Sequence, residues 1–303
     1  MRILVTGGAG FIGSHIVDAL LAGGATVAVL DNLSTGSIEN VRPEVVFYQG
    51  DLLDREFVLG CLERERPELI IHQAAQSSAP KSLADPAGDA GVNIVGSVNL
   101  LEAARACEAR KVVYASSAAV YGNPLYLPVD HRHPVAPFCF YGLSKYTVEG
   151  YLSLYRELYG LDYTVLRYAN VYGPRQNSSG EGGVVAIFIS CLLRGERPVI
   201  FGDGLQTRDF VQVRDVAGAN LLALEKGSGQ VLNIGTGRAT TVNRLFEVLK
   251  ETAGFKGEAL YQAPRAGDIR DSWLDSTPAA EALGWTAALD LEQGIKQTLE
   301  YYR

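Results

Sequence analysis

Tyr141 and Lys145 are four residues apart in a stretch whose apolar residues have helical spacing, so their side chains share one face of the predicted helix. Such a pair suits proton transfer. A free tyrosine has a pKa of about 10, and a neighbouring ammonium group favours the phenolate form. Because this spacing also arises by chance, the alternative is an exposed Tyr–Lys pair on a solvated helix.

Two serines, Ser116 and Ser117, end a predicted strand shortly before this helix. The carboxyl end of a parallel strand is where such sheets bind ligands. At that position Ser117 can hydrogen-bond a substrate hydroxyl and relay its proton to Tyr141. The alternative is a pair of serines that caps a turn. Their coincidence with the tyrosine and lysine of the next helix favours a catalytic site made of Ser117, Tyr141 and Lys145.

A glycine-rich turn near the start of the chain forms a second candidate site. Gly7, Gly10 and Gly13 lie between an apolar strand and an amphipathic helix. Glycine lets a pyrophosphate approach the backbone, and the free N–H groups of the helix start point at the phosphates. The alternative is an ordinary glycine-rich turn, because the spacing Gly-x-x-Gly-x-x-Gly differs from that of most dehydrogenases.

Asp31 closes the strand that follows this turn and its helix. A carboxylate at that position accepts hydrogen bonds from the ribose hydroxyls of a dinucleotide and repels a 2′-phosphate. Together with the glycine turn, Asp31 therefore predicts NAD rather than NADP.

Strands and helices alternate from the first residues to Asn170, including long predicted helices at about 89–108 and 141–159. This pattern is typical of an α/β fold with a doubly wound parallel sheet of the Rossmann type. Two further features lie at its carboxyl edge. Asp51 contacts the adenine or caps a helix, and the small residues Ala74 and Ala75 let the backbone lie against the cofactor.

After Asn170 the alternation loosens into a glycine- and serine-rich stretch at 177–183, an apolar helix at about 184–193, and shorter strands and helices. We expect an NAD-binding Rossmann domain over 1–169 with a return segment at about 210–235. A smaller, interrupted α/β domain over about 170–209 and 236–303 is expected to bind the substrate.

Composition excludes several classes of function. The 303 residues are 47% hydrophobic, carry a net charge of −7 and contain no basic block that would bind nucleic acid or a membrane surface. The four cysteines form no Cys-x-x-Cys pair, so they are expected to be core residues, with no metal site and no disulfide framework. They are Cys61, Cys107, Cys139 and Cys191. Neither a signal peptide nor an apolar run long enough to span a bilayer is found, and we expect a cytoplasmic protein.

Five motifs occur in order along the chain, at residues 7–13, 31–33, 116–122, 141–145 and 167–174. Together they resemble the extended short-chain dehydrogenase/reductase family, and within it the nucleotide-sugar 4-epimerases. The resemblance implies that Tyr141 takes the proton from the sugar O4, directly or through Ser117. Hydride then passes from C4 to tightly bound NAD⁺ and returns to the other face of the 4-keto sugar. The implied substrates are UDP-hexoses, UDP-glucose and UDP-galactose.

The resemblance also assigns binding residues. Those implied for the cofactor are Gly7, Gly10, Phe11, Ile12, Gly13, Asp31, Asn32, Asp51, Leu52, Ala74, Ala75, Ser116, Tyr141, Lys145 and Tyr168. Those implied for the substrate are Ser117, Tyr141, Asn170, Phe201, Arg208, Arg265, Asp268 and Ser272. Arg208 and Arg265 would bind the diphosphate, because a guanidinium donates two hydrogen bonds to phosphate. Asn170 would also touch the diphosphate, Asp268 the nucleotide ribose and Phe201 the base. For either arginine alone, a surface salt bridge is the alternative.

Two positions help to distinguish the reactions and substrates of this family. Family members that eliminate water or carbon dioxide carry an acidic residue near Ala118 and Ala119, where this chain has only alanine. The two alanines therefore favour epimerisation. Ser272 aligns with a tyrosine of some epimerases restricted to unsubstituted hexoses. Its small side chain predicts that UDP-GlcNAc and UDP-GalNAc are accepted as well.

Two other functions stay open. One is a related enzyme, a UDP-glucuronate 4-epimerase or a reductase of a keto-sugar nucleotide. The other is a non-catalytic NAD-binding scaffold, which the presence of Ser117, Tyr141 and Lys145 disfavours.

The resemblance also implies a homodimer, because the predicted helices at 89–108 and 141–159 resemble those that pair across the family's dimer interface. On the second helix, Tyr151, Tyr155 and Tyr159 recur every four residues. These tyrosines belong either to that interface or to the core.

Overall fold

A computed structural model describes residues 1–178, 183–265 and 267–303. In these ranges the strands are β1 (Arg2–Thr6), β2 (Thr26–Asp31), β3 (Val46–Gln49), β4 (Leu69–His72), β5 (Lys111–Ser117), β6 (Asp162–Tyr168), β7 (Asn170–Tyr172), β8 (Val199–Phe201), β9 (Thr207–Arg208), β10 (Phe210–Gln212), β11 (Gln230–Ile234), β12 (Thr240–Thr241) and β13 (Leu260–Gln262). The α-helices are α1 (Phe11–Ala22), α2 (Arg55–Glu65), α3 (Ala79–Ala84), α4 (Pro86–Ala90), α5 (Gly96–Ala106), α6 (Phe140–Tyr159), α7 (Val184–Leu193), α8 (Val213–Ala223), α9 (Val242–Ala253), α10 (Thr277–Leu283) and α11 (Leu291–Tyr302). Shorter turns are a π-helical turn (Gly91–Val95) and two 3₁₀ turns (Ile38–Asn40 and Ala118–Tyr121).

Among the described residues, seven parallel strands form the central sheet, in the order β11-β6-β5-β4-β1-β2-β3. The strand order reverses at β1, because β2 and β3 lie on one side of it and β4 lies on the other. In sheets of this kind, ligands bind in the crevice at the carboxyl ends of the strands where the order reverses. The predicted doubly wound parallel fold is confirmed.

Helices cover both faces of the sheet because the central strands are apolar on both sides. Ile3 and Val5 of β1 pack with α1 and α8 on one face. Leu4, between them in sequence, packs with α2, α5 and α6 on the other. This alternation follows from the opposite directions of successive side chains in a strand.

The helix predicted at 89–108 is interrupted. The chain passes from α4 through the π-helical turn into α5, and the buried residue Asn93 lies within that turn. The Asn93 side chain bonds to the backbone N–H and C=O of Gln76. A wider turn of this kind is often found at functional sites. Apolar periodicity reports only the buried stripe of a helix and therefore gave no sign of the interruption.

The second half of the chain has its own apolar cluster, formed by α7, α9, α11 and neighbouring strands around Phe188, Leu249 and Ile295. In contrast, α8 and β11 return to the first half, where β11 pairs with β6 at the edge of the main sheet. The domain boundaries stay a prediction. Residues 179–182, which belong to the glycine- and serine-rich stretch at 177–183, lie outside the described residues, and so does Ala266.

The cysteines are free thiols: Cys61, Cys107 and Cys139 are buried, and Cys191 is half-buried. In the described ranges, no helix combines the length and the apolar composition that crossing a membrane requires.

Candidate active site

The glycine turn connects β1 to α1 at the edge where the strand order reverses. Gly7 has a φ of 70°, and a Cβ at this position would lie 2.6 Å from the backbone nitrogen of Ala74. A Cβ at Gly13 would overlap the carbonyl oxygen of Gly7. Side chains are thus excluded from both positions, and the backbone of the turn stays open to a ligand.

The start of α1 fits an anionic ligand. Gly10 caps the helix without a side-chain hydrogen bond, and in this described stretch the first turn holds no acidic residue. The N–H groups of Phe11, Ile12 and Gly13 therefore face neither a capping side chain nor a carboxylate. Such a helix start attracts phosphate groups, so the turn fits the pyrophosphate of a dinucleotide.

Asp31 is buried beside this turn. One of its oxygens accepts a hydrogen bond from the N–H of Ala9 at 3.0 Å, and the other accepts one from the N–H of Leu33 at 2.8 Å. The carboxylate thus fixes the glycine turn to the end of β2. Because each oxygen has a second lone pair, both can still accept a ribose hydroxyl. The cofactor role of Asp31 stays a prediction.

Asn32 and Asp51 meet at the same edge, where the Asn32 amide donates to the Asp51 carboxylate at 2.8 Å. The second Asp51 oxygen accepts from the N–H of Leu53. Asp54, not Asp51, caps α2, by accepting from the N–H of Phe57. The helix-cap alternative for Asp51 is therefore wrong. Contacts of Asn32, Asp51 and the buried Leu52 with the cofactor stay predictions.

A hydrogen-bonded chain lies beneath the glycine turn. The N–H of Ala74 donates to the Thr6 hydroxyl, which lies 2.7 Å from His72 Nδ1. His72 Nε2 lies 2.8 Å from the hydroxyl of Ser97, which donates to the carbonyl of Asn93. Because Ser97 uses its hydrogen on Asn93, neutral His72 donates from Nε2 and accepts at Nδ1. Burial lowers the pKa of His72 to about 3, which keeps the ring neutral.

Tyr168, at the end of β6, is buried and bonded within the protein. Its hydroxyl accepts from the amides of Gln73 and Asn220 at 3.0 and 2.8 Å. These bonds join the ends of β4 and β6 to α8. Because the hydroxyl is already bonded, a contact between Tyr168 and the cofactor, which stays a prediction, would use the ring.

Ser117 and Tyr141 meet where β5 ends and α6 begins. Their side chains share a hydrogen bond, and Ser117 Oγ also accepts from the N–H of Ala119 at 3.2 Å. The serine is therefore both a turn cap and a partner of the tyrosine. Burial raises the pKa of Tyr141 to about 12, and the bond from Ser117 offsets only part of that effect.

Lys145 lies one helical turn after Tyr141 and is buried. Its Nζ donates to the carbonyl of Ala115 at 2.8 Å and lies 4.9 Å from the centre of the Tyr114 ring. The alternative of an exposed, solvated Tyr–Lys pair is therefore wrong, because the lysine is held inside the protein at the end of β5.

Burial lowers the pKa of Lys145 to about 7, although the carboxylates of Asp89 and Glu149 act in the opposite direction. The expectation that a nearby ammonium favours the Tyr141 phenolate is therefore only half met. The lysine is in place, but burial dominates at both groups and keeps the tyrosine protonated at neutral pH.

The Ser116 side chain is bonded to α6. It is buried, and its hydroxyl donates to Glu149 at 2.5 Å. Glu149 also accepts two hydrogen bonds from Arg167, at 3.0 and 2.5 Å. Sequence reasoning missed this ion pair, and a contact of Ser116 with the cofactor stays a prediction. The available signal was the position of Glu149, four residues after Lys145 on the same helical face.

A second polar group lies beside Lys145. The Asn93 amide is within 3.0 Å of Asp89 Oδ1 and of the Ser144 hydroxyl, and Ser144 in turn donates to the carbonyl of Tyr141. The π-helical turn thus supports the first turns of α6. The other Asp89 oxygen and the Tyr114 hydroxyl are buried without a hydrogen-bond partner.

Ala118 and Ala119 begin a 3₁₀ turn and present only methyl groups. The start of α6 packs closely on this turn, since a Cβ at Gly142 would lie 2.5 Å from the Ala119 carbonyl oxygen. This part of the site offers no acid–base group.

Most of the residues expected to bind substrate come from short strands and loops of the second half. Arg208 Nη1 donates to the carbonyl of Thr207, and its pKa is lowered by burial against the opposing charges of Asp268 and Asp271. The N–H of Ser272 donates to the same Thr207 carbonyl. Arg208, Asp268 and Ser272 are thus brought near one another.

Phe201 and Arg265 form a second pair, in which the guanidinium carbon lies 3.9 Å from the centre of the ring. This is a cation–π contact. The Arg265 and Asp268 side chains are exposed, as is that of Asn170. The roles of all these residues in binding substrate stay predictions.

Asp209 is a buried carboxylate that sequence reasoning missed. It accepts from the N–H and hydroxyl of Thr236 and from the N–H groups of Gly237 and Leu274. Its own carbonyl accepts from the N–H of Asn170. Asp209 therefore joins the loop after β11 to the segment that carries Ser272.

The chain is similar to known proteins over almost its whole length. Residues 3–235 match the model of the NAD dependent epimerase/dehydratase family. A UDP-glucose 4-epimerase of Thermotoga maritima, solved with UDP-glucose, is 50% identical, with a TM-score of 0.98, over 100% of this chain and 99% of that one.

Two further solved structures are similar. A UDP-glucose 4-epimerase of Thermus thermophilus, solved with NAD, is 44% identical, with a TM-score of 0.95, over 100% of this chain and 99% of that one. A UDP-N-acetylglucosamine 4-epimerase of Methanobrevibacter ruminantium, solved with UDP-N-acetylmuramic acid, is 36% identical, with a TM-score of 0.95, over 99% and 97% of the two chains.

Proposed function

The chain belongs to the NAD dependent epimerase/dehydratase family, and we propose that it is an NAD-dependent 4-epimerase that interconverts UDP-glucose and UDP-galactose. One observation carries the proposal. Ser117, Tyr141 and Lys145 meet at the carboxyl end of β5, while the turn that follows offers only Ala118 and Ala119. A site with one proton-transferring tyrosine and no further acid suits oxidation and reduction at a hydroxyl-bearing carbon, not elimination.

When bound, NAD⁺ supplies the hydride acceptor and adds a positive nicotinamide ring. Gly7, Gly10 and Gly13 leave room for its pyrophosphate, and Asp31 would hold the adenosine ribose. Lys145, fixed by the Ala115 carbonyl, would hold the nicotinamide ribose.

Tyr141 would take the proton from the sugar O4 and later return it, with Ser117 holding the same oxygen. On its own the tyrosine is not available as a base at neutral pH, because its pKa of about 12 keeps the phenol protonated. Positive charge beside the phenol favours the phenolate. Binding of the cofactor and charging of Lys145 are therefore what would activate Tyr141.

The proposal is tested by NMR of the purified protein with UDP-galactose and no added cofactor. We expect UDP-glucose to form, which requires that NAD be carried by the protein and regenerated in each turnover. A chain that stayed inactive even with added NAD⁺ would contradict the proposal. Turnover of UDP-glucuronate instead would establish the uronic-acid alternative, and consumption of reduced cofactor with each turnover would indicate a reductase.

We also propose that the enzyme accepts UDP-GlcNAc and UDP-GalNAc. The small side chain of Ser272 lies next to Asp271, whose carboxylate accepts from the Thr207 hydroxyl close to Arg208. The similar protein of Methanobrevibacter ruminantium is a UDP-N-acetylglucosamine 4-epimerase. Enlarging Ser272 to Tyr should abolish turnover of the N-acetyl sugars and spare UDP-galactose, as measured by NMR. Equal turnover of both sugars by that variant would contradict this assignment.

A homodimer formed through α6 is a further proposal. Tyr155 is buried and bonds to Glu102, whereas Tyr151 and Tyr159 are exposed, so the tyrosine row is divided between core and surface. Leu154 and Leu158 extend the exposed apolar face. Such a face suits association with the same face of a second copy. A monomer mass by light scattering at micromolar concentration would count against it.

A cytoplasmic location is proposed from the cysteines. All four are free thiols. Free thiols are typical of a reducing compartment.

A further inference from the structure

Glu149 lies on α6, the helix that carries Tyr141 and Lys145 and is called the catalytic helix below. In the proposed function it touches neither cofactor nor substrate. It is 6% exposed and accepts three hydrogen bonds, one from Ser116 and two from Arg167. Ser116 precedes Ser117 on β5, and Arg167 lies near the end of the neighbouring β6. The Glu149 carboxylate thus joins α6 to β5 and β6 close to Ser117 and Lys145.

The ion pair continues towards the second half of the chain. The Arg167 guanidinium lies 4.8 Å from the centre of the Tyr121 ring, and the Tyr121 hydroxyl donates to Asn233 at 2.7 Å. Asn233 donates to the carbonyls of Val129 and Asp275. The catalytic helix is therefore connected, through buried polar groups, to the segment that carries Ser272.

Glu149 also faces Lys145, which lies one helical turn before it. Burial of a lysine disfavours its charged form. Two carboxylates, Glu149 and Asp89, oppose that effect. The titratable groups that surround Lys145 are Asp89 on α4, His72 on β4, Tyr114 on β5, and Tyr141 and Glu149 on α6.

We infer that Glu149 is a positioning residue of the catalytic site, which favours the charged form of Lys145 and aligns the lysine with Ser117 through its bonds to Ser116 and Arg167. The inference rests on the proposed function, since it concerns the same site. The carboxylate itself is required, because only a charged group both accepts from Arg167 and favours the ammonium of Lys145.

The test compares three variants of the full-length protein. Glu149→Gln keeps the shape and removes the charge. The double variant Glu149→Gln with Arg167→Met also removes the unpaired guanidinium, so that no buried charge is left without a partner. Arg156→Gln is the matched control. Arg156 forms an ion pair with Asp162 that also joins α6 to β6, but at the ends of these elements that lie away from the catalytic residues.

For Glu149→Gln we expect kcat on UDP-galactose to fall by ~10–100-fold with KM within about threefold, because a small misplacement of a reacting group has effects of this size. The upper limb of the pH profile should move to lower pH, since Lys145 loses one of its two carboxylates. The double variant should regain thermal stability but not kcat. Arg156→Gln should match the wild type in kcat.

Two results would overturn the inference. One is a double variant that recovers wild-type kcat together with its stability, which would make the ion pair merely structural. The other is a Glu149→Gln variant with the same kcat as Arg156→Gln.

Amide hydrogen exchange of residues 140–148 separates failure of this inference from failure of the proposed function, because it needs no turnover. Faster exchange in Glu149→Gln than in Arg156→Gln supports the positioning role even if the wild type does not act on UDP-galactose. Equal exchange rates contradict it.

Discussion

The catalytic corner (Ser117, Tyr141 and Lys145) and the substrate loops (around Phe201, Arg208 and Arg265) are built in opposite ways. Lys145 is 3% exposed and its ammonium is bonded to the backbone of β5. Arg265, in contrast, is exposed, and its guanidinium lies against the ring of Phe201. Groups that transfer protons must be aligned before the substrate arrives, whereas groups that bind phosphate can close on it. The comparison predicts that changes in the corner alter kcat and changes in the loops alter KM.

The strongest test of the comparison is Tyr141→Phe. We expect kcat to fall by ~10³-fold or more, because the group proposed to take the proton from O4 is removed. The ring packing is kept, so the thermal midpoint and the amount of bound NAD should change little. Turnover is followed by NMR, and the amount of bound NAD is measured by absorbance on the same sample. Activity close to that of the wild type would contradict the catalytic assignment.

Arg208→Ala tests the other half of the comparison. Loss of a charge-assisted bond to the diphosphate should raise KM for UDP-galactose by ~10–100-fold, with a much smaller change in kcat. Steady-state kinetics would measure the two separately. Arg238→Ala is a control for general loss of positive charge in this half. A fall in kcat alone would place Arg208 with the catalytic corner instead.

The buried row of hydrogen bonds through Thr6, His72 and Ser97 predicts how the stability of the protein responds to acid. His72 has a pKa of about 3 when folded, whereas a free histidine has a pKa of about 6.5, so the unfolded chain binds more protons between these values. Stability from this group is complete above pH 6.5 and is lost as the pH falls, by about 1.4 kcal/mol per pH unit. Unfolding of the wild type and of His72→Gln from pH 7 to pH 5 should show a shallower loss for the variant. The exposed His131→Gln should follow the wild type, and identical slopes for all three would contradict the assignment.

The smallest expected effect is that of Phe201→Leu. It removes both the ring that would pack on the base and the cation–π contact with Arg265. We expect KM to rise by ~3–10-fold, in keeping with the size of such stacking contacts, and kcat to stay within about twofold. The dissociation constant of UDP, measured by calorimetry, should rise by the same factor. An unchanged affinity would show that the base does not pack on Phe201.

The sequence was informative where one local pattern decides the structure. Alternating strands and helices predicted the parallel sheet, and the spacing of Tyr141 and Lys145 predicted two side chains on one helical face, as the structure has them. In such cases the periodicity of a single element carries the inference.

The sequence was uninformative where a residue's partner lies far along the chain. Glu149 and Arg167 look like ordinary surface charges on a helix and a strand, and only the packing of α6 on β5 and β6 makes them a buried pair. The bond between the Ser116 hydroxyl and Glu149 was missed for the same reason, since the two residues belong to different elements. The π-helical turn at Asn93 likewise depends on Gln76 and Ser144, which are distant in sequence.

The late return of β11 to the main sheet has a consequence for synthesis on the ribosome. Strand β6 ends at residue 168, but its outer neighbour β11 begins only at residue 230. At 5–20 residues per second, the growing chain therefore exposes an open, apolar strand edge for about 3–12 s. Such edges recruit other chains, so a nascent protein halted anywhere in this interval should be the species that aggregates or needs a chaperone.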